Sequence, residues 1–200
     1  MNDQLKALDI ILKLKSDYYR LYLAYDGVET SRMSLPAHQE LFKRFSQNVI
    51  EEWSELYEYF YLKSPCERKD YIDGMVDEVS DILGFTYALG FLSGVDLTDI
   101  KPQLIVRPSN TDYSMERVHF EILVYKNIIH KLSMVCNLLK NRPWKSSQHL
   151  LDMPEFEKQF KQFFQFSLKF IVMLQLPNDK LEVGLKRKIE VNYFRIKSNY

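Results

Sequence analysis

The chain has 200 residues, 46% apolar and 14% aromatic, with six glycines and 27 basic side chains balanced by 27 acidic ones. That length carries one domain with a real core, and the apolar content excludes a disordered chain. So few glycines argue against a sandwich or barrel built on tight turns, and zero net charge supplies no global field to draw nucleic acid or a membrane.

Apolar residues recur at helical spacing, and Pro or Gly clusters cut the chain into pieces, so the sequence predicts an all-α helical bundle. Helices are expected near 3–24, 38–62, 70–93, 113–141, 153–175 and 179–197. The first stretch, MNDQLKALDIILKLKSD, is charged every few residues and lacks the apolar run of a secretion signal. DGVETSRMSLP (26–36) and KPQLIVRPSNTD (101–112) read as loops. NRPW (141–144) and LPND (176–179) are breakers, with Asn178 or Asp179 as the expected N-cap of the last helix. FSLKFIVMLQL (166–176) is too short to span a bilayer and carries Lys169, so no membrane partner is expected. Cys66 and Cys136 show no C-x-x-C pairing, and His38, His119, His130 and His149 are scattered. Neither a disulfide framework nor a zinc site follows, and a reducing, cytoplasmic setting fits.

Residues 51–60, EEWSELYEYF, crowd four glutamates into eight positions. On a helical wheel Phe42, Phe45, Val49, Trp53, Leu56 and Phe60 form one core stripe. Glu51 and Glu58 fall opposite it, on the wet side, whereas Glu52 and Glu55 flank it. In the next helix the stripe runs Ile72, Val76, Val79, Leu83, Thr86. Glu78 and Asp81 share their face with Gly74, Phe85 and Ala88, a composition that faces another helix.

Both acidic pairs are spaced i, i+3, so each occupies one helix face. An antiparallel hairpin turning within KSPCERKD sets Glu52 level with Asp81 and Glu55 level with Glu78, a box of four carboxylates. Ser64, Pro65 and Glu67 offer a capping box that would start the second helix earlier and move the register by about a turn. Asp70 with Asp73 is the competing start. Such a box repels itself unless cations neutralise it, and oxygen ligands without Cys or His suit Mg²⁺ or Mn²⁺. The plainer alternative makes these residues interhelical salt-bridge partners or ordinary surface acids.

In the last helix Leu181, Leu185, Lys188, Asn192 and Arg195 form a stripe that begins apolar and ends polar and basic. A compact Lys charge and a planar Arg fork both suit phosphate; the bland reading is a solvated basic end that complements the helix dipole. The phenylalanines of FEKQFKQFFQFSLKFIVM read as core.

E-x-x-E on one helix followed by E-x-x-D on the next resembles the all-α nucleoside triphosphate pyrophosphohydrolases, the MazG-like and dimeric dUTPase superfamily. The C-terminus, KRKIEVNYFRIKSNY, is similar to the K-x-x-x-N-x-x-R-x-x-x-x-Y ending of dimeric dUTPases and phage dCTPase/dUTPases, through Lys188, Asn192, Arg195 and Tyr200. The resemblance covers roughly residues 40–95 and 185–200.

It implies one catalytic domain over residues 1–200, with 101–178 as a helical cap or insertion, and hydrolysis of dUTP to dUMP and pyrophosphate. Glu52, Glu55, Glu78 and Asp81 would hold Mg²⁺ or Mn²⁺, Glu52 also orienting the water. Lys188, Asn192, Arg195 and Tyr200 would bind the phosphates. A deoxynucleoside triphosphate substrate and a homodimer are implied as well. Two alternatives stay open: dCTP or a noncanonical nucleotide as substrate, or a catalytically silent helical interaction protein, binding nucleic acid through Lys186, Arg187, Lys188, Arg195 and Lys197.

Overall fold

The computed structural model describes residues 2–18, 33–61, 68–97, 100, 124–139 and 151–198. The chain is an all-α helical bundle, and no strand occurs among the described residues. Its elements are α1 (Asn2–Lys13), α2 (Pro36–Tyr61), α3 (Arg68–Ser93), a π-helical turn (Val124–Ile129) leading into α4 (His130–Leu138), α5 (Met153–Met173) and α6 (Asn178–Lys197). The expected loop at 101–112, the start of the 113–141 helix and the KSPCERKD turn between Tyr61 and Arg68 lie outside the described residues, as do 19–24 of the first helix.

Local chemistry sets several boundaries. Pro36 opens α2, where its fixed φ suits a first helical position and its missing N–H costs nothing. α3 stops at Gly94, whose φ of 68° is the left-handed geometry glycine adopts without strain. Asp152 caps α5 by accepting the Glu155 N–H at 3.1 Å. The expected cap of α6 is corrected: Pro177 occupies the N-cap position with no side-chain hydrogen bond, and Asn178 is already helical. Asn178 Nδ2 instead donates to the carbonyl of Asp3 at 3.4 Å, tying α6 to α1.

Burial follows the predicted stripes. Phe42, Val49, Trp53 and Leu56 of α2 and Val76, Val79, Leu83 and Thr86 of α3 are buried, while Phe45 and Ile72 are partly so. From Met75 to Ser93 nearly every α3 residue is buried or half-buried, as expected of a helix covered on most sides. The α5 phenylalanines 156, 160, 163, 164 and 170 join the same core. Phe42 meets Phe156 edge-on at 5.3 Å and Trp53 meets Phe170 edge-on at 6.3 Å, so α5 runs parallel to α2. The chain from Ile11 of α1 to Tyr18 just beyond it crosses α3 in the opposite sense, with Tyr18 donating to the Ser80 carbonyl and Tyr87 to the Ile11 carbonyl. No helix among the described residues is long and apolar enough to cross a membrane.

Candidate metal centre

α2 and α3 pack extensively against each other, and the approach of Tyr59 to Gly74 marks their register. A Cβ on Gly74 would lie 2.3 Å from the Tyr59 hydroxyl oxygen, so the Tyr59 ring rests directly on the Gly74 backbone. The antiparallel register that sets Tyr59 against Gly74 sets Glu55 against Glu78 one turn along, and Glu52 against Asp81 beyond that. This count matches the register expected from the sequence, but of the expected four-carboxylate box only Glu52, Glu55 and Glu78 converge, and Asp81 turns to Lys188.

One carboxylate oxygen from each of Glu52, Glu55 and Glu78 lies within 4.8 Å of the other two. Opposite oxygens around one octahedral Mg²⁺, with ~2.1 Å bonds, stand ~4.2 Å apart, so the three are already near the size of one coordination shell. Glu52 and Glu78 are half-buried and Glu55 is exposed, which leaves an open side toward solvent. Glu51 and Glu58 are exposed and point away, Glu51 accepting from Gln47 Nε2 at 2.9 Å.

The carboxylates are short of positive charge. Burial pushes the Glu52 carboxyl up to about 8, helped by the charges of Asp81 and Glu55 and by the hydrogen bond it donates to Glu78. Glu78 is raised by burial and by Glu55, against the pull of the Glu52 proton it accepts. Two close carboxylates favour holding a proton between them, and the Lys188 charge only partly offsets this at Glu78. An all-oxygen set of this kind, without Cys or His, has the donor chemistry for a hard divalent cation.

Asp81 stands apart from the other three. Its Oδ2 lies 2.6 Å from Lys188 Nζ, and the two side chains are only 19% and 23% exposed. Burial still raises the Asp81 carboxyl, while Lys188, and more weakly Arg195, pull it down. Asp81 therefore belongs to two surfaces. It is near enough to Glu52 for its charge to act there, yet it is directed at α6.

α6 lies parallel to α3 through a row of ion pairs that the sequence reading missed. Lys180 meets Asp73 at 2.6 Å, and Arg187 Nη2 meets Asp77, ahead of Lys188 on Asp81. The signal was present: Asp73, Asp77 and Asp81 recur every four residues along α3. Between the pairs a Cβ on Gly184 would come 2.2 Å from Val76 Cγ1, so only glycine permits this approach. Leu181 and Leu185 are buried, Lys188 and Asn192 half-buried and Arg195 exposed, the gradient expected of this stripe. Lys188 reaches the acidic box from this helix, and Asn192 follows it one turn later. Tyr200 lies outside the described residues. Compared with protein-family models, curated proteins and solved structures, the chain has no match in any of the three.

Proposed function

We propose that the chain is a nucleoside triphosphate pyrophosphohydrolase of the all-α MazG-like and dimeric dUTPase type, converting dUTP to dUMP and pyrophosphate with Mg²⁺ or Mn²⁺. The observation that carries this reading is the convergence of Glu52, Glu55 and Glu78 within 4.8 Å, from an E-x-x-E helix and an E-x-x-D helix in level register. The helix bearing Lys188, Asn192 and Arg195 is docked against the same face. Ordinary interhelical salt bridging does not account for Glu52 and Glu78, which hydrogen-bond to each other.

In this reading Glu55, Glu78 and Asp81 hold the cation with Glu52. A bound divalent cation supplies Lewis acidity toward water and phosphoryl oxygens. Glu52 is more recessed than Glu55; the proton held between Glu52 and Glu78 is lost more readily with a divalent cation in the box, and the Glu52 carboxylate so formed orients the attacking water and takes its proton. Lys188 and Arg195 neutralise charge developing on phosphate oxygens, while Asn192 and Tyr200 donate hydrogen bonds to them. A homodimer completes the reading and is checked by sedimentation.

The test is a panel of dUTP, dCTP and noncanonical deoxynucleoside triphosphates, assayed for pyrophosphate with Mg²⁺ or Mn²⁺ and again with EDTA. The expected result is EDTA-sensitive pyrophosphate release, fastest from dUTP. Release fastest from another base reassigns the substrate, and release from none overturns the proposal.

A further inference from the structure

We propose that Lys188 is an internal counter-cation of the acidic box, holding Asp81 until a divalent cation displaces its ammonium and frees it for the substrate's phosphates. The inference rests on the metal-centre reading and concerns how that centre is regulated.

Three observations carry it. The contact is close and shielded: Lys188 Nζ sits 2.6 Å from Asp81 Oδ2, with both side chains at about a fifth exposure. The neighbouring pairs differ in this respect, since Lys180–Asp73 is 34% and 48% exposed and Arg187–Asp77 is 61% and 45% exposed. Those two pairs, the Gly184–Val76 approach and the buried Leu181 and Leu185 also hold α6 in the bundle, so Lys188 is not its sole tether.

The second observation is what Asp81 lacks. It is the member of the two i, i+3 pairs left out of the three-oxygen group, although its charge still raises Glu52. The group Asp81 meets instead is the Lys188 ammonium. A cation already stands at the edge of the box, supplied by the chain itself, and its charge reaches Glu78.

The third is the chemistry of lysine. Its charge is a compact point on a flexible four-carbon stem, so it can leave Asp81 without any movement of α6. An ammonium held on Asp81 Oδ2 opposes a divalent cation on the same carboxylate, because two like charges would then face each other across one small group in a partly desolvated site. Metal entry and release of Lys188 toward the open side accordingly favour each other. The arrangement keeps the box stable without metal and withholds the phosphate-binding charge until the metal is present.

The test is a titration with Mn²⁺ alone, without nucleotide, following the free ion by electron paramagnetic resonance. Wild type, Lys188→Met, Lys188→Gln and Lys180→Met are compared, each checked for helical content by circular dichroism. Lys188→Gln keeps a hydrogen-bond donor for Asp81 without the charge, which guards against a misfolded Met variant. Both Lys188 variants are expected to bind Mn²⁺ about tenfold more tightly than wild type, with Lys180→Met unchanged. A residue with only a structural role would weaken binding when replaced. Equal or weaker binding by the Lys188 variants, or equal tightening by Lys180→Met, overturns this inference alone. Absence of Mn²⁺ binding by wild type and both Lys188 variants overturns the metal reading together with it.

Discussion

At the scale of single residues, Glu52 has the sharpest consequence. Its folded carboxyl lies near 8 against an ordinary 4.5, so between those values the folded chain binds more protons than the unfolded one. Stability attached to this group is complete below the lower value and is lost as pH rises toward the upper one. In EDTA the melting temperature should therefore fall between about pH 5 and pH 8, and Glu52→Gln should flatten the fall. Melting followed by circular dichroism checks this, and a melting temperature that climbs over that window contradicts the shared proton. Glu55→Gln isolates the other role. Glu55 is exposed and makes little core contact, so its replacement should leave melting in EDTA within about 0.5 kcal/mol of wild type. Removing one of the cation's anionic ligands should nevertheless cut Mg²⁺-dependent pyrophosphate release by at least about a hundredfold. Full activity in that variant would remove the acidic box from the reaction.

At the scale of elements, the two helix contacts that build the site both use glycine, but differently. Gly74 lies under the far end of the Tyr59 side chain, which can swing aside, whereas Gly184 faces a β-branched Val76 whose rotamer the helix holds. Alanine ordinarily stabilises a helix interior by about 1 kcal/mol over glycine. Gly184→Ala should reverse that sign, costing roughly 1–3 kcal/mol through overpacking, while Gly74→Ala should cost less. Urea unfolding of the two variants checks the order. The same helices show which features periodicity makes legible. The stripes of α2 and α3, and the wet placement of Glu51 and Glu58, follow from helical spacing and from the burial of apolar groups. Lys188 on Asp81 does not follow from it. Spacing places Asp81 on a face of its own helix, but whether α2 or α6 covers that border is decided by packing between distant segments. The α6 cap was missed for a related reason: Asn178 satisfies the carbonyl of Asp3 on α1, a contact that LPND alone does not contain.

At the scale of the whole molecule, core and candidate site occupy different sides of α2. Trp53 turns inward against Phe170 of α5, while Glu52 and Glu55 flank it and look toward α3 and solvent. The phenylalanines of α5, expected as core from their spacing, line the inward side and bring α5 parallel to α2. α3 lies between α2 and α6, so one helix joins the three-oxygen group to the basic stripe. Damage to the core should then lower stability without altering the site, provided the bundle stays folded. Phe170→Leu replaces a ring that is 1% exposed by a smaller branched chain and removes the edge-on contact with Trp53. The expected cost is about 1–2 kcal/mol, visible as a lower urea midpoint with an unchanged slope. Mn²⁺ affinity well below that midpoint should match wild type, because Glu52, Glu55 and Glu78 converge on one another and Asp81 meets α6. A parallel loss of Mn²⁺ affinity would mean that Trp53 sets the height of Glu52 and Glu55, making the core part of the site.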